Sequence, residues 1–505
     1  MVNKEFVKKA ERFRPQIYTR EYSSPIPVAF VEDEGAFQNI KAVFASEKES
    51  YCTGDRVCLD FGRHITGYFK FFLGQYQGYM DAPIRLKLKF AELPYEAYRD
   101  FDTYKPGLCS SWLQEEIITV DTKGEVRLGR RYAFRYVEIS VLASSVPVTL
   151  KNFTATACSS ADVSELDNVV FEDKTMKNID KIAVCTLAEC MQDVFEDGPK
   201  RDRRLWLGDL RLQALANYYT FGNIDLVKRC LYLFASFDSK DQLLPSYVYT
   251  KPQVETGQAY LVSYALFFAV ALCDYYEHTQ DKVVTEDLFD TAKRQIDITK
   301  SMLDENGILV MPKNYGWWTF IDWSEAEPVT ACMGIYIYTV KKFTDLCKKL
   351  GLKKEAYNYH KLAEKLKKSS LKFLYDGDIF KNNYDKNQYS VHSQVWMILA
   401  DVVSKDDAKR LLKECVGNKT YVNPVTPYMH HYVVEALFKA EMYSEAKQYI
   451  ADYWGSMAEL GADTFWEVFV KDNQFCSPYG DALMNSACHA WSCTPTYFIR
   501  KYNMQ

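Results

Sequence analysis

The chain has 505 residues, enough for two to four domains at roughly 150 residues each. Its 37 tyrosines, 30 phenylalanines and 9 tryptophans exclude a mainly disordered protein, because disordered chains are poor in aromatic residues. Lysine and arginine total 62 against 67 aspartates and glutamates, so the net charge of −5 lacks the basic excess of a nucleic-acid-binding protein.

The first 160 residues carry the pattern of an antiparallel β-sandwich. Apolar side chains alternate with charged or polar ones in residues 84–90 and 137–141, which is the two-residue period of strands with one solvent-facing side. Further β-rich runs occur at residues 27–31, 40–45, 66–73, 115–120 and 148–156. Turn residues separate these runs at intervals typical of a sandwich, so we predict this domain over residues 1–160.

Beyond residue 170 the apolar residues follow the period of helices, with about twelve helical segments between Lys174 and Lys501. Residues 352–373 have one apolar and one lysine-rich face, whereas residues 260–275 are apolar nearly all round, which predicts burial on every side. Helices of both kinds favour an inner ring wrapped by an outer ring, an (α/α)6 barrel over residues 161–505. A stacked-repeat solenoid is the alternative, but no repeat of fixed period is visible.

The cysteines and the N-terminal residues predict a cytoplasmic protein. The 14 cysteines form no CxxC pair and lie mostly in apolar surroundings, as expected of free buried thiols in a reducing compartment. Residues 1–15 carry charges throughout and lack the apolar core of a signal peptide. The longest apolar stretch, residues 259–273, is shorter than the roughly 20 residues that span a bilayer, so no membrane contact is expected.

Residues 196–209 are the most unusual segment of the helical region. They contain four carboxylates and four cations together with Trp206 and a Gly198-Pro199 corner. A charge cluster is most often a solvated turn, but such a turn needs neither the tryptophan nor the rigid corner. Glycoside hydrolysis requires paired carboxylates, one to protonate the leaving oxygen and one to act on water or on the sugar. Aromatic faces and charged side chains also bind sugars, so this loop indicates a carbohydrate site.

Residues 315–327 form a second cluster of aromatic and acidic side chains, which includes Asp322 and Trp323. Two interpretations are equally compatible with it. The cluster is either a sugar-binding wall or a hydrophobic plug beneath a loop, in which Asp322 caps a helix.

A third cluster, residues 461–467, ends in Trp466-Glu467 and is followed downstream by His489. Taken alone, Glu467 fits an acid on a helix surface and His489 fits a core histidine. Together with the first two clusters, they supply a distant second carboxylate and a sugar-binding imidazole.

No motif for a metal or a nucleotide is present. The seven histidines, which include the pair His430 and His431, lack the HxH or HExxH spacing of a zinc site. The sequence also has no GxGxxG or Walker-type loop. We therefore expect no metal and no cofactor, and a carbohydrate rather than a nucleic acid as the partner.

Over most of its length the sequence resembles the α-L-rhamnosidases of glycoside hydrolase family 78. The charged loop at residues 197–209 is the most specific match. The other matching motifs lie, in chain order, at residues 59–63, 66–68, 90–92, 131–138, 322–323, 466–467 and 486–491. The resemblance implies a β-sandwich before an (α/α)6 barrel, and cleavage of terminal α-L-rhamnosides with inversion in a pocket at the barrel mouth.

The resemblance also implies roles for individual residues. Glu467 stands where the family has its general base. The general acid is commonly Glu in the family, and here Asp202, which is one methylene shorter, takes that position. The residues at substrate-binding positions are Asp197, Arg201, Trp206, Asp209, Asp322, Trp323 and His489.

The implied mechanism has Asp202 protonate the leaving oxygen while Glu467 deprotonates a water on the opposite face of the sugar ring. Such an inverting pair has its carboxyl groups roughly 6.5–9.5 Å apart. Two alternatives stay open. One is a glycoside phosphorylase or another inverting hydrolase on the same architecture, because a fold does not fix chemistry. The other is a non-catalytic sugar-binding protein.

Overall fold

The computed structural model describes residues 2–105, 107–164, 166, 169–310, 318–385 and 387–504. An antiparallel sheet occupies the first third of the chain and α-helices form most of the rest, which confirms the predicted order of a β region and a helical region. The strands of the sheet are β1 (Tyr18–Ser23), β2 (Ile26–Glu32), β3 (Ile40–Phe44), β4 (Arg56–Gln75), β5 (Ile84–Ala91), β6 (Glu115–Val120), β7 (Gly124–Arg127), β8 (Tyr132–Ala143) and β9 (Val148–Ser159).

Strand β4 organises the sheet. The order of neighbouring strands is β1-β9-β4-β8-β5-β6, and β4 also pairs with β2 near its start and with β7 near its end. The alternation predicted for β5 is confirmed in its first part, since Ile84, Leu86 and Leu88 are buried while Arg85 is exposed, but Lys89, on the same face as Arg85, is also buried. These apolar side chains join those of β4, β8 and β9 in one core, so burial of one strand face fixes the register.

The described residues after 173 form twelve α-helices, the number that the sequence predicts. They are α3 (Lys174–Cys190), α4 (Leu207–Tyr218), α5 (Ile224–Ala235), α6 (Val262–Thr279), α7 (Lys282–Lys300), α8 (Val329–Lys349), α9 (Lys353–Phe373), α10 (Val391–Leu399), α11 (Lys405–Cys415), α12 (Pro427–Lys439), α13 (Tyr443–Glu459) and α14 (Pro495–Lys501). Two short helices, α1 (Lys4–Arg12) and α2 (Pro94–Tyr98), precede them. A short strand before α4, β10 (Leu205–Trp206), pairs antiparallel with one after α5, β11 (Tyr247–Val248).

The helices differ in burial as their sequences predict. In α6 every residue from Val262 to Tyr276 is buried, whereas α9 buries one face only, which includes Ala356, Tyr359 and Leu366. Helix α6 packs against α4 and α8, and α8 packs against α10, so the fully buried helices are neighbours of one another. No helix of the described residues is long and apolar enough to cross a membrane.

The sheet and the helical region meet at a buried network of charged side chains. Glu92, which follows β5, contacts His64 Nε2 at 3.0 Å and accepts a hydrogen bond from the Ala487 amide at 2.6 Å. Lys200 Nζ lies 2.8 Å from the Glu96 carboxylate in α2. Side chains from the sheet region therefore hold two distant segments of the helical region, because a buried charge is stable only with such partners.

The network makes stability depend on pH through His64. Burial alone opposes a charged ring, but the carboxylates of Glu189, 3.7 Å from Nδ1, and of Glu92, 3.0 Å from Nε2, outweigh it and raise the pKa of His64 to about 10. The pKa of histidine in an unfolded chain is about 6.5, so the charged ring stabilises the fold fully below that pH. The contribution is lost as the pH rises through about 10.

We therefore expect His64→Gln to lower the free energy of unfolding by about 3–5 kcal/mol at pH 6, the usual cost of breaking a buried ion pair. The difference between the variant and the wild type should shrink steadily between pH 6.5 and 10. Urea unfolding of both proteins across this range measures it. A destabilisation that is the same at every pH would contradict a charged His64.

Candidate active site

The predicted site residues, with the exception of Asp322, line one pocket in the helical region. They come from the charged loop and the first turn of α4, from the segment before α8, from the segment around Glu467 and from the stretch before α14. The pocket is completed by Leu261, Tyr264, Phe320, Tyr479 and Trp491. Residues far apart in the sequence thus meet at one place, with acids and aromatic rings as its walls.

Hydrogen bonds close the charged loop. The Asp197 amide donates to the Arg204 carbonyl and the Arg204 amide donates to Asp197 Oδ1, both at 3.0 Å. At the tip, the Arg203 amide donates to the Arg201 carbonyl at 2.8 Å, which makes Asp202 the centre of a γ-turn with a φ of 63°. Asp tolerates this left-handed conformation better than most residues, which gives a physical reason for a shorter acid at this position.

Glu467 is buried, with 1% of its surface exposed, and its carboxylate is fully hydrogen-bonded. Oε1 accepts from Arg201 Nη2 and from the Tyr479 hydroxyl, both at 2.5 Å, and Oε2 accepts from the Ser486 amide at 2.9 Å. Burial alone raises the pKa of Glu467, but the charge of Arg201 and these hydrogen bonds outweigh it and lower the pKa to about 2. The carboxylate is therefore ionised at neutral pH.

Arg201 contacts both carboxylates that the sequence singles out for catalysis. Its Nη2 pairs with Glu467, and its Nη1 lies 3.6 Å from Asp202 Oδ1. Nε donates to the Met484 carbonyl at 3.2 Å, and the guanidinium lies 4.2 Å from the centre of the Tyr479 ring. These contacts fix the orientation of the guanidinium, so one planar cation lies between the two acids.

Asp197 and Asp209 are buried carboxyl groups whose pKa is shifted upward, opposite to that of Glu467. Burial raises the pKa of Asp197 well above its ordinary value, and repulsion by Asp202 and Asp209 adds to it. Burial does the same for Asp209, with repulsion by Glu467 and Asp202 as smaller causes. Both groups favour the protonated form, in which a carboxyl can donate a hydrogen bond to a ligand.

His489 is held as a neutral imidazole. Burial lowers its pKa to about 4, although the charge of Glu467 opposes this. Its Nδ1 atom lies 3.7 Å from Asp209 Oδ1, and neither atom has a hydrogen-bond partner among the described residues. Two unsatisfied polar atoms in one pocket wall are what a hydroxylated ligand would satisfy.

Aromatic rings form the rest of the wall. Phe320 packs edge-on against Trp323 with ring centres 5.2 Å apart and lies parallel to Trp491 at 6.0 Å. On the other side, Trp206 meets the edge of Tyr264 at 6.2 Å. Such rings offer an apolar surface to the C–H groups of a sugar, while the acids and Arg201 supply hydrogen bonds.

Asp322 lies outside the pocket lining. Its carboxylate accepts hydrogen bonds from the Val425 amide at 2.8 Å, from the Thr426 amide at 3.0 Å and from the Thr426 hydroxyl at 2.6 Å, and it contacts His392 Nε2 at 2.8 Å. Val425 and Thr426 directly precede α12, so the structure favours the interpretation in which Asp322 caps the start of a helix. Residues 315–317 of the same predicted cluster lie outside the described residues.

Sequence reasoning missed Tyr479 and Tyr264. Tyr479 contacts Glu467 directly but lies in an irregular segment with no periodic pattern. Tyr264 belongs to the apolar helix α6, where its hydroxyl resembles that of any core tyrosine. The nearby Gly208 is a usable signal, because a Cβ at that position would lie 2.5 Å from the Tyr264 ring.

Two family models match the chain. Residues 26–159 match the N-terminal domain of glycosyl hydrolase family 78 alpha-rhamnosidases. Residues 166–502 match the bacterial alpha-L-rhamnosidase six-hairpin glycosidase domain. A search among curated proteins gives no match.

The fold is similar to that of a rhamnosidase from Klebsiella oxytoca with rhamnose bound, with a TM-score of 0.96 and 36% identity over 100% of this chain and 99% of that one. Two more distant structures share the fold. The family 78 rhamnosidase of Bacillus sp. GL1 has a TM-score of 0.76 and 21% identity, and the match covers 91% of this chain and 49% of that one. The alpha-L-rhamnosidase of Streptomyces avermitilis, complexed with L-rhamnose, has a TM-score of 0.68 and 16% identity over 96% and 44% of the two chains. The chain belongs to glycoside hydrolase family 78.

Proposed function

We propose that this protein is an inverting α-L-rhamnosidase, a glycoside hydrolase that releases terminal α-L-rhamnosyl residues from oligosaccharides or glycosides. The observation that carries the proposal is the buried, ionised Glu467 in the same pocket as Asp202, with Arg201 in contact with both. The similarity to the Klebsiella oxytoca rhamnosidase, whose structure holds rhamnose, supports L-rhamnose as the sugar.

In this mechanism Asp202 gives its proton to the glycosidic oxygen as the bond to the anomeric carbon breaks. Glu467 takes a proton from a water molecule, and the resulting oxygen attacks the anomeric carbon from the opposite face. The products are the free leaving group and rhamnose with inverted configuration, while Asp202 ends ionised and Glu467 ends protonated. Exchange of protons with water restores both.

The pair of Arg201 and Glu467 requires an additional step. A carboxylate with a pKa of about 2 is a weak base, and general bases work best with a pKa near the working pH. We infer that hydroxyl groups of the bound sugar take over part of the Arg201 contact. Glu467 then loses much of its stabilising charge partner, its pKa rises, and it can accept the proton of the water.

The remaining pocket residues bind the sugar. Asp197 and Asp209, in their protonated forms, donate hydrogen bonds to hydroxyls, and the neutral His489 accepts or donates one beside Asp209. Trp206 and Trp323 pack against the ring and its methyl group. This combination would select a deoxy sugar, which needs an apolar surface on one side.

For the architecture we propose a β-sandwich over residues 1–160 and an (α/α)6 barrel over residues 161–505. The long strand β4 supports the sandwich, because its pairing shifts register between Asp60 and Ile65 and its neighbours change along its length. The alternation of helices supports the barrel. Helices α4, α6, α8, α10 and α12 pack in succession, and α7, α9, α11 and α13 pack against their outer sides.

We also propose a cytoplasmic location. All 14 cysteines are free, and most are buried. Cys190 and Cys488 approach each other with their sulfur atoms 3.9 Å apart as two thiols. A reducing compartment is where such thiols persist.

Replacement of Glu467 tests the base. Glu467→Gln keeps the size of the side chain and removes its ability to take a proton, so we expect turnover of 4-nitrophenyl α-L-rhamnoside to fall by about 10²–10⁴-fold. Rhamnose should still bind, as calorimetry would show. Turnover near the wild-type rate would refute the assignment.

Replacement of Asp202 tests the acid, since a good leaving group departs without protonation. Asp202→Asn suits the same backbone conformation. We expect it to cleave methyl α-L-rhamnoside about 10²–10⁴-fold more slowly and the 2,4-dinitrophenyl rhamnoside with a much smaller loss. Asp209→Asn, as a control for a binding role, should lose similar factors on both. If Asp202→Asn loses the same factor on both substrates, another residue is the general acid.

A further inference from the structure

Beyond the pocket, the aromatic surface continues along the antiparallel pair of β10 and β11. Trp206 pairs with Tyr247 across the two strands, and their ring centres are 4.6 Å apart. The Tyr249 ring follows at 5.4 Å from that of Tyr247 and nearly perpendicular to it. Trp206 lines the pocket, whereas the two tyrosines are half-buried outside its lining. We call the surface formed by Arg204, Tyr247 and Tyr249 the rim.

The rim lies beside Asp202. Only Arg203 separates Asp202 from Arg204 in the chain. Burial raises the pKa of Tyr247, and the charge of Asp202 is among the smaller causes, as expected if ring and carboxylate are near each other. A leaving group whose oxygen touches Asp202 would therefore extend over the rim.

Arg204 is the unusual member of the rim. Its guanidinium lies 4.9 Å from the centre of the Tyr247 ring and 4.7 Å from that of Tyr249. Within the described part of the chain, its side chain makes no ion pair and no hydrogen bond, and its Nε atom is shielded from solvent without a partner. By contrast, Arg201 in the same loop pairs with Glu467. A guanidinium has five N–H donors, so Arg204 retains its capacity to bind an anion.

Contacts within residues 247–257 fix the two tyrosines of the rim in position. The Thr256 hydroxyl donates to the Tyr247 carbonyl at 2.6 Å, and the Tyr249 amide donates to the Glu255 carbonyl at 2.8 Å. A Cβ at Gly257 would lie 1.9 Å from the Tyr247 hydroxyl oxygen, so only glycine permits this placement of the ring. The tyrosines that flank Arg204 are thus held in place before any ligand binds.

We propose that the rim is the leaving-group subsite and that it recognises a uronic acid, so that the natural substrates are α-L-rhamnosyl uronic acids. The proposal rests on the proposed function, because it takes Asp202 as the acid at the glycosidic oxygen. The tyrosine rings pack against the C–H groups of the leaving sugar. The guanidinium of Arg204 donates two parallel hydrogen bonds to its carboxylate, the geometry that arginine favours.

Two disaccharides that differ only at C6 of the leaving sugar test the proposal. These are α-L-rhamnosyl-(1→4)-D-glucuronic acid and α-L-rhamnosyl-(1→4)-D-glucose, compared by kcat/KM. We expect the wild type to prefer the acid about tenfold or more, as a charge-assisted bidentate contact allows. Arg204→Gln should bring the ratio close to one by lowering kcat/KM for the acid. Lys251→Gln, which removes an exposed cation from the segment that follows β11, should keep the wild-type preference.

Equal kcat/KM values for the two disaccharides in the wild type would overturn the proposal. A preference that survives in Arg204→Gln would overturn the role of Arg204. Turnover of the neutral disaccharide reports on folding and on the hydrolase itself, so these outcomes stand apart from a failure of the proposed function. That failure would be the absence of turnover on every rhamnoside, including 4-nitrophenyl α-L-rhamnoside.

Discussion

The buried ion pair between Arg201 and Glu467 is the interaction on which the rest of the site depends. Both side chains are nearly shielded from water, so the buried cation of Arg201 and the buried carboxylate of Glu467 compensate each other's charge. Such a pair adds little net stability, because desolvation offsets the attraction between the charges. In the proposed mechanism its value is functional, since it places a cation between two acids and leaves Glu467 to accept a proton once a sugar competes for Arg201.

Residues of the sheet region hold the chain segments next to this ion pair. The Ser486 amide donates to Glu467, and the next amide in the chain, that of Ala487, donates to Glu92. Lys200, which directly precedes Arg201, is anchored at Glu96. The segments that carry Arg201 and the Ser486 amide are thus anchored by carboxylates outside the helical region.

Much of this arrangement could be predicted from the sequence. Burial on one face or on all faces leaves a periodic pattern, so the sheet strands and helices such as α6 and α9 follow from the positions of apolar residues. The charged loop stood out because Trp206, a rigid corner and dense charge have no common structural purpose. That this loop lies near Glu467 was predicted from the resemblance to family 78 and not from any local sequence pattern.

Other features depend on contacts that no local pattern encodes. Tyr479 reaches Glu467 from an irregular segment, and its importance is visible only in three dimensions. Asp322 follows a tryptophan-rich run that suited a sugar wall, yet its partner Thr426 lies 104 residues away. The rim was equally hidden, because Tyr247 and Tyr249 are ordinary residues until the long-range pairing of β10 with β11 brings them against Arg204.

The stereochemistry of the first product tests the central claim most directly. Proton NMR can follow hydrolysis of 4-nitrophenyl α-L-rhamnoside and identify the anomer of rhamnose that appears first, before mutarotation mixes the two. The account predicts β-L-rhamnose, because Glu467 activates a water on the face opposite to the leaving group. Initial release of α-L-rhamnose would contradict it, since retention requires a carboxylate that attacks the sugar itself, with the two carboxyl groups only about 5–5.5 Å apart.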